Sequence, residues 1–188
     1  MPEATPVASG RPGATGGREL GRVVYAAEAI AERVRVLGDE ITEAYPDGTR
    51  LLMLGLLKGS FIFVADLVRC VALPVHVDFL VVSSYGSGSS SSGTVETLYD
   101  PGTSLEGRHV VLVEDIVDSG QTINELVPSL RRRKPSSLEV CALLHKRTAG
   151  RLALEPRWVG FDAPNEFLVG YGLDHAEDFR HLPFIASL

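Results

Sequence analysis

The seven residues Leu51 to Leu57 (Leu-Leu-Met-Leu-Gly-Leu-Leu) carry no polar side chain. Such a continuous apolar run is the mark of a strand covered on both faces, which parallel sheets require and half-exposed sheets do not. Upstream, Ile30, Val34, Leu37 and Ile41 recur every three or four residues, which predicts an amphipathic helix from Ala27 to Tyr45. Asp47-Gly48 supplies the turn between the two. A second helix is expected from Ser60 to Cys70, stopping before Pro74. Strands are expected at Val75–Ser83, Val95–Tyr99, His109–Val113 and Leu138–Leu144, with shorter ones at Trp158–Phe161 and Phe167–Val169. Helices alternating with buried strands make the class α/β, a mainly parallel sheet flanked by helices.

A chain of 188 residues is about one domain long. With 45% apolar and 22% charged residues its composition is that of a globular protein. Residues 1–17 are rich in Pro, Gly, Ala and Thr without apolar periodicity, so we read them as a flexible tail before a single domain at 18–188. Eighteen basic against 24 acidic residues give a net charge of −6, which argues against a nucleic-acid binder. A local basic pocket for a phosphorylated ligand stays open, because net charge is a global quantity. Cys70 and Cys141 are too few for a disulfide framework or a Cys-x-x-Cys site and are expected to be buried free thiols. With no long apolar stretch and no secretory layout at the N-terminus, the expectation is a cytoplasmic protein without a membrane partner.

Two segments look unlike scaffolding. Ser83 to Gly93 is a Ser/Gly loop too long for a tight hairpin, a kind of loop that serves either as plain surface or as a lid. The other runs Val111-Leu112-Val113-Glu114-Asp115-Ile116-Val117-Asp118-Ser119-Gly120-Gln121-Thr122. Here a buried strand ends in two carboxylates, a third follows, and Ser-Gly-x-Thr opens a helix. The carboxyl ends of strands are where open α/β sheets bind ligands. Successive N–H groups from Asp118 to Thr122, backed by a helix N-terminus, suit a phosphate. Any one of these residues would pass for an acidic turn or a helix cap. The combination is specific.

This string resembles the phosphoribosyl-pyrophosphate (PRPP) motif of the type I phosphoribosyltransferases. Leu57-Lys58-Gly59-Ser60, Ser84-Tyr85-Gly86, Leu144-His145-Lys146-Arg147-Thr148, Phe167 to Asp174 and Phe179-Arg180 narrow the resemblance to the hypoxanthine-guanine branch. It covers the chain from about Leu20 to Leu188 in consistent order.

The resemblance implies a sheet with a small hood over the base, and transfer of phosphoribose from PRPP to hypoxanthine or guanine with Mg²⁺. It implies Glu114 and Asp115 beside the ribose hydroxyls and the metal, and Asp118 as general base near purine N7. Residues Asp118, Ser119, Gly120, Gln121 and Thr122 would cradle the 5-phosphate. Lys58, Gly59 and Arg180 would hold pyrophosphate, with a cis peptide at Leu57–Lys58. Lys146 would donate to the purine O6, Phe167 would stack on the base, Leu168 would add backbone contacts, and Asp174 would lie near the base or a second metal. Ser84 and Tyr85 would belong to a closing loop, and a homodimer or homotetramer would be the assembly. Departures are Ser119 for a more usual Thr, Ser60 for Gly and Leu168 for Val. Pro128 falls inside the helix after Thr122, which is therefore expected to kink or end early.

Three other readings compete. A nucleotide-binding regulator of RNA or DNA on the same fold would have no use for Asp118, Lys146 and a lid loop together. A magnesium-dependent phosphatase would leave Lys146 and Phe167 without a role. A xanthine-preferring transferase is nearer, and the sequence separates it least.

Overall fold

A computed structural model describes residues 18–84, 95–147 and 150–188. The expected tail at 1–17 and Tyr85 of the Ser/Gly loop lie outside the described residues.

Nine strands and three helices are described: β1 (Val23–Tyr25), α1 (Ala27–Glu43), β2 (Leu51–Leu57), α2 (Phe61–Cys70), β3 (Val75–Ser84), β4 (Val95–Tyr99), β5 (His109–Val117), α3 (Gln121–Arg132), β6 (Ser137–His145), β7 (Trp158–Asp162), β8 (Leu168–Val169) and β9 (Ile185–Ser187). Six strands form one sheet in the order β4-β3-β2-β5-β6-β7. All neighbours in it are parallel except β4, which pairs antiparallel with β3 at one edge. This is the expected mainly parallel α/β sheet.

The apolar run at β2 is buried on both faces, as its composition requires. Leu51 and Met53 pack with Val34, Leu37 and Ile41 of α1 and Phe63 and Leu67 of α2. Leu52, Leu54 and Leu56 pack on the opposite face with Ile123, Leu126, Val127 and Leu130 of α3. Val111 and Val113 of β5 share the first layer, and Val110 and Leu112 the second. Period-two alternation thus feeds two hydrophobic layers from one continuous apolar strand. Each fully buried Leu or Val contributes roughly 1.5–3 kcal/mol.

Three expectations are corrected. Strand β5 does not stop at Val113; it runs on to Val117, because Ile116 and Val117 find partners in Leu144 and His145 of β6. Glu114 and Asp115 therefore lie within the strand and not beyond it. Helix α3 does not end early at Pro128: it continues to Arg132. Pro128 sits on its exposed side, while the buried stripe Ile123–Leu126–Val127–Leu130 holds the helix to the sheet. Cys141 is buried as expected, its thiol pushed far up by burial, but Cys70 is only half-buried, at the end of α2.

The hood is a separate three-stranded antiparallel sheet, β1-β9-β8. It joins residue 23 to the C-terminal strand, with Val23 opposite Ala186 and Leu168 opposite Ser187.

Candidate active site

The carboxyl ends of β2, β5 and β6 converge on one edge of the sheet. Lys58 and Gly59 follow β2, Asp118 to Gly120 follow β5, and Lys146 follows β6. The Lys146 N–H donates to the Val117 carbonyl (2.9 Å), which extends the parallel pairing by one step and sets the lysine beside the β5 loop.

The loop after β5 forms a small cavity of about 70 Å³. Glu114, Asp118, Ser119, Gly120 and Thr122 are among its lining residues. Gly120 caps α3 in the left-handed region (φ +80°), a conformation glycine enters without steric cost. The Ser119 hydroxyl accepts a hydrogen bond from the Gln121 N–H at 3.4 Å. The Gln121 side chain instead turns to Glu125, its amide donating at 3.2 Å.

A second cavity of about 230 Å³ adjoins the first. Asp115, Asp118, Lys146, Phe167, Leu168 and Asp174 line it, with Ile116 and Leu173. Ile116 and Asp118 belong to both cavities. Lys146 Nζ lies 2.9 Å from Asp118 Oδ2, with the lysine side chain only 11% exposed. Phe167 is 54% exposed and meets the His175 ring edge-on at 5.4 Å. An aromatic face left half-open above a cavity is available for stacking.

The acidic pair is divided between the cavities. Glu114 lines the smaller cavity and Asp115 the larger one, while their carboxyl groups stay in side-chain contact with each other. Burial, reinforced by the Asp115 charge, holds the Glu114 carboxyl well above its ordinary range. Asp115 is pushed up to about 6, by burial first, against the opposing pull of backbone N–H groups and Arg180. Glu114 Oε2 is buried without a hydrogen-bond partner among the described residues.

The Leu57–Lys58 peptide is cis, as the resemblance implied. Gly59 then passes so close to Asp115 that a Cβ there would overlap the carboxylate, and a Cβ on Gly172 would overlap the Gly59 carbonyl oxygen. Gly172 (φ +100°) belongs to the loop between β8 and β9. Arg180, in the same loop, donates to the Gly172 carbonyl (2.8 Å) and pairs with Asp174 (2.8 Å) and Glu177 (3.3 Å). Lys58 Nζ pairs with Glu177 Oε1 at 2.9 Å. Ser84 ends β3 opposite Val95.

Sequence reasoning missed Gly172, Glu177 and the Tyr171–Asp66 hydrogen bond (2.6 Å) that ties the β8–β9 loop to α2. Gly-Tyr-Gly at 170–172 was the available signal for a turn with left-handed residues, and Tyr171 itself has φ +50°.

A model of the phosphoribosyl transferase domain matches residues 23–176. The chain belongs to this family. The hypoxanthine-guanine phosphoribosyltransferase of Mycobacterium avium is 46% identical over 175 residues, covering 90% of this phosphoribosyltransferase and 86% of its relative. That of Dictyostelium discoideum is 44% identical over 169 residues, covering 88% and 94% respectively. A crystal structure of the hypoxanthine-guanine phosphoribosyltransferase of Bacillus anthracis superposes with a TM-score of 0.85 at 39% identity, covering 90% of this chain and 99% of that one.

Proposed function

We propose that this phosphoribosyltransferase transfers the phosphoribosyl group of PRPP to a 6-oxopurine, hypoxanthine or guanine, releasing pyrophosphate in purine salvage. The observation that carries the reading is Lys146. Its ammonium is nearly buried, it faces the same cavity as Phe167, and among the described residues its ion-pair partner is Asp118. A buried cation needs an acceptor to offset its lost hydration. A 6-oxopurine supplies a further one at O6, whereas the amino group of adenine would present a donor to an ammonium that has only Asp118 to accept from it.

The remaining roles belong to the same proposal, and the position of each group supports them. Asp118, common to both cavities, is suited to hold or move the proton at purine N7. Phe167 stacks on the base, Leu168 offers backbone groups, and Asp174 lines the same cavity. The N–H groups and hydroxyls from Asp118 to Thr122 cradle the 5-phosphate. Lys58, Gly59 and Arg180 hold the departing diphosphate, where charge develops as the glycosidic bond breaks. Fixing both substrates against one sheet edge accounts for a large part of the rate, because well-oriented groups avoid the entropy of encounter.

Magnesium fits the acidic pair. Glu114 offers a buried carboxylate oxygen with no partner, beside a second crowded carboxylate on Asp115. Mg²⁺ takes one or two carboxylates and completes its shell with water and substrate phosphates. When bound, the ion would neutralise charge on the phosphate oxygens.

The test is nucleotide formation from PRPP and hypoxanthine with Mg²⁺, repeated after treatment with EDTA. IMP should form only with PRPP and the metal. An undiminished rate in EDTA would overturn the metal assignment; no nucleotide from hypoxanthine or guanine would overturn the reading.

A further inference from the structure

The two side-chain cations assigned to the diphosphate already share an anion. Glu177 Oε1 lies 2.9 Å from Lys58 Nζ, and Glu177 Oε2 lies 3.3 Å from a terminal guanidinium nitrogen of Arg180. One carboxylate thus spans a lysine that follows β2 and an arginine of the β8–β9 loop. Burial does not impose this arrangement, since the Lys58 and Glu177 side chains are 65% and 66% exposed. The backbone holds Glu177 in place. Asp174 Oδ2 accepts the Glu177 N–H (2.9 Å), while Asp174 Oδ1 pairs with Arg180. Ala176, Glu177 and Phe179 have φ of +52°, +68° and +76°. Non-glycine residues seldom enter that region, and those that do cluster at ligand clamps.

We infer that Glu177 is the internal counter-anion of the diphosphate subsite: it lies between Lys58 and Arg180 in the free protein and sets how tightly a diphosphate is held there. The inference rests on the proposed assignment of Lys58 and Arg180. A diphosphate carries more charge and more acceptor oxygens than a carboxylate, so it can displace Glu177 from both cations. It must first break two ion pairs, and it then sits near a like charge. A smaller anion that reaches only one of the two cations gains too little to do the same. Glu177 therefore discriminates in favour of groups that span both cations, and it lightens the hold on released pyrophosphate.

The test is Glu177→Gln, which keeps the shape and removes the charge, in the full chain. Calorimetry with inorganic pyrophosphate gives its Kd, and steady-state kinetics give KM for PRPP and for the base. Both Kd and KM for PRPP should fall by about 2- to 10-fold, the scale of exposed ion pairs. The gain should shrink at high salt and in a Lys58→Gln background, and KM for the base should not move. A merely structural role for Glu177 would weaken pyrophosphate binding. Unchanged or weaker binding by folded Glu177→Gln, and likewise by Glu177→Ala, would overturn the inference. Inactivity of the parent with PRPP and every base would count against the proposed function alone, since pyrophosphate binding is read without turnover.

Discussion

Gly59 and Asp115 touch at the centre of the site: a Cβ on the glycine would occupy the space of the Asp115 carboxylate. The other side of Gly59 is closed by Gly172, whose own Cβ would meet the Gly59 carbonyl. Three segments distant in sequence thus meet with no room for a side chain. Gly59→Ala must push Asp115 away from its position or lift the loop that carries Lys58. A displacement near 1 Å in a reacting site costs about 10²-fold. The expected result is a loss of roughly that size in kcat/KM for PRPP, with little change in thermal stability, measured by steady-state kinetics and calorimetry. Parent-like kinetics would show that the contact is slack.

Asp118→Asn should preserve purine binding, because the amide is nearly isosteric and its oxygen can still accept from Lys146. Turnover should fall by about 10- to 10³-fold as the basic group is lost. Base affinity by calorimetry and kcat by assay separate the two effects. Unchanged kcat would move the proton acceptor elsewhere.

Lys146→Gln tests the O6 contact. Arg147 cannot substitute, since it pairs with Asp162 at 2.6 Å on the exposed side of the chain. Losing one charged hydrogen bond is worth roughly 1.5–3 kcal/mol, or about 10- to 150-fold. The variant should lose that much kcat/KM for guanine and hypoxanthine and show less preference over adenine. Selectivity and efficiency equal to the parent's would return Lys146 to a structural role.

The sheet was legible because its central strands are apolar throughout: Leu51–Leu57 permits no exposed face. The loop after β5 was legible as a candidate site because its chemistry is contiguous, from Glu114 to Thr122, and most of these residues line one cavity. Strands β1 and β9 were not, since each has only three residues and they pair with each other across some 160 positions, beyond any local pattern. The full length of β5 was hidden for a related reason. Glu114 and Asp115 look like a strand end until β6 is alongside to pair Ile116 and Val117. Glu177 carried no signal, because nothing in its neighbourhood announces Lys58, 119 residues earlier.

His145 closes β6 at 4% exposure, with Nδ1 buried and without a hydrogen-bond partner among the described residues. Burial first, and the Arg147 charge second, hold its imidazole below the ordinary 6.5, with Glu155 and Asp162 opposing. The folded state thus binds this proton less readily than the unfolded one. The resulting stability is complete above about pH 6.5 and is lost as pH falls through the folded value. His145→Leu removes the titration. Denaturation midpoints at about pH 7 and about pH 5 should differ less in the variant than in the parent. An equal difference would show that His145 is not the group responsible.

A panel of four bases tests 6-oxopurine phosphoribosyl transfer without recourse to variants. The protein is incubated with PRPP and Mg²⁺ and, separately, hypoxanthine, guanine, xanthine or adenine, and nucleotide and pyrophosphate are quantified. IMP and GMP should form, each with an equal amount of pyrophosphate, and no AMP above background. Preferential formation of the xanthine nucleotide would correct the base assignment, and AMP formed as readily as IMP, or no nucleotide from any base, would contradict the account.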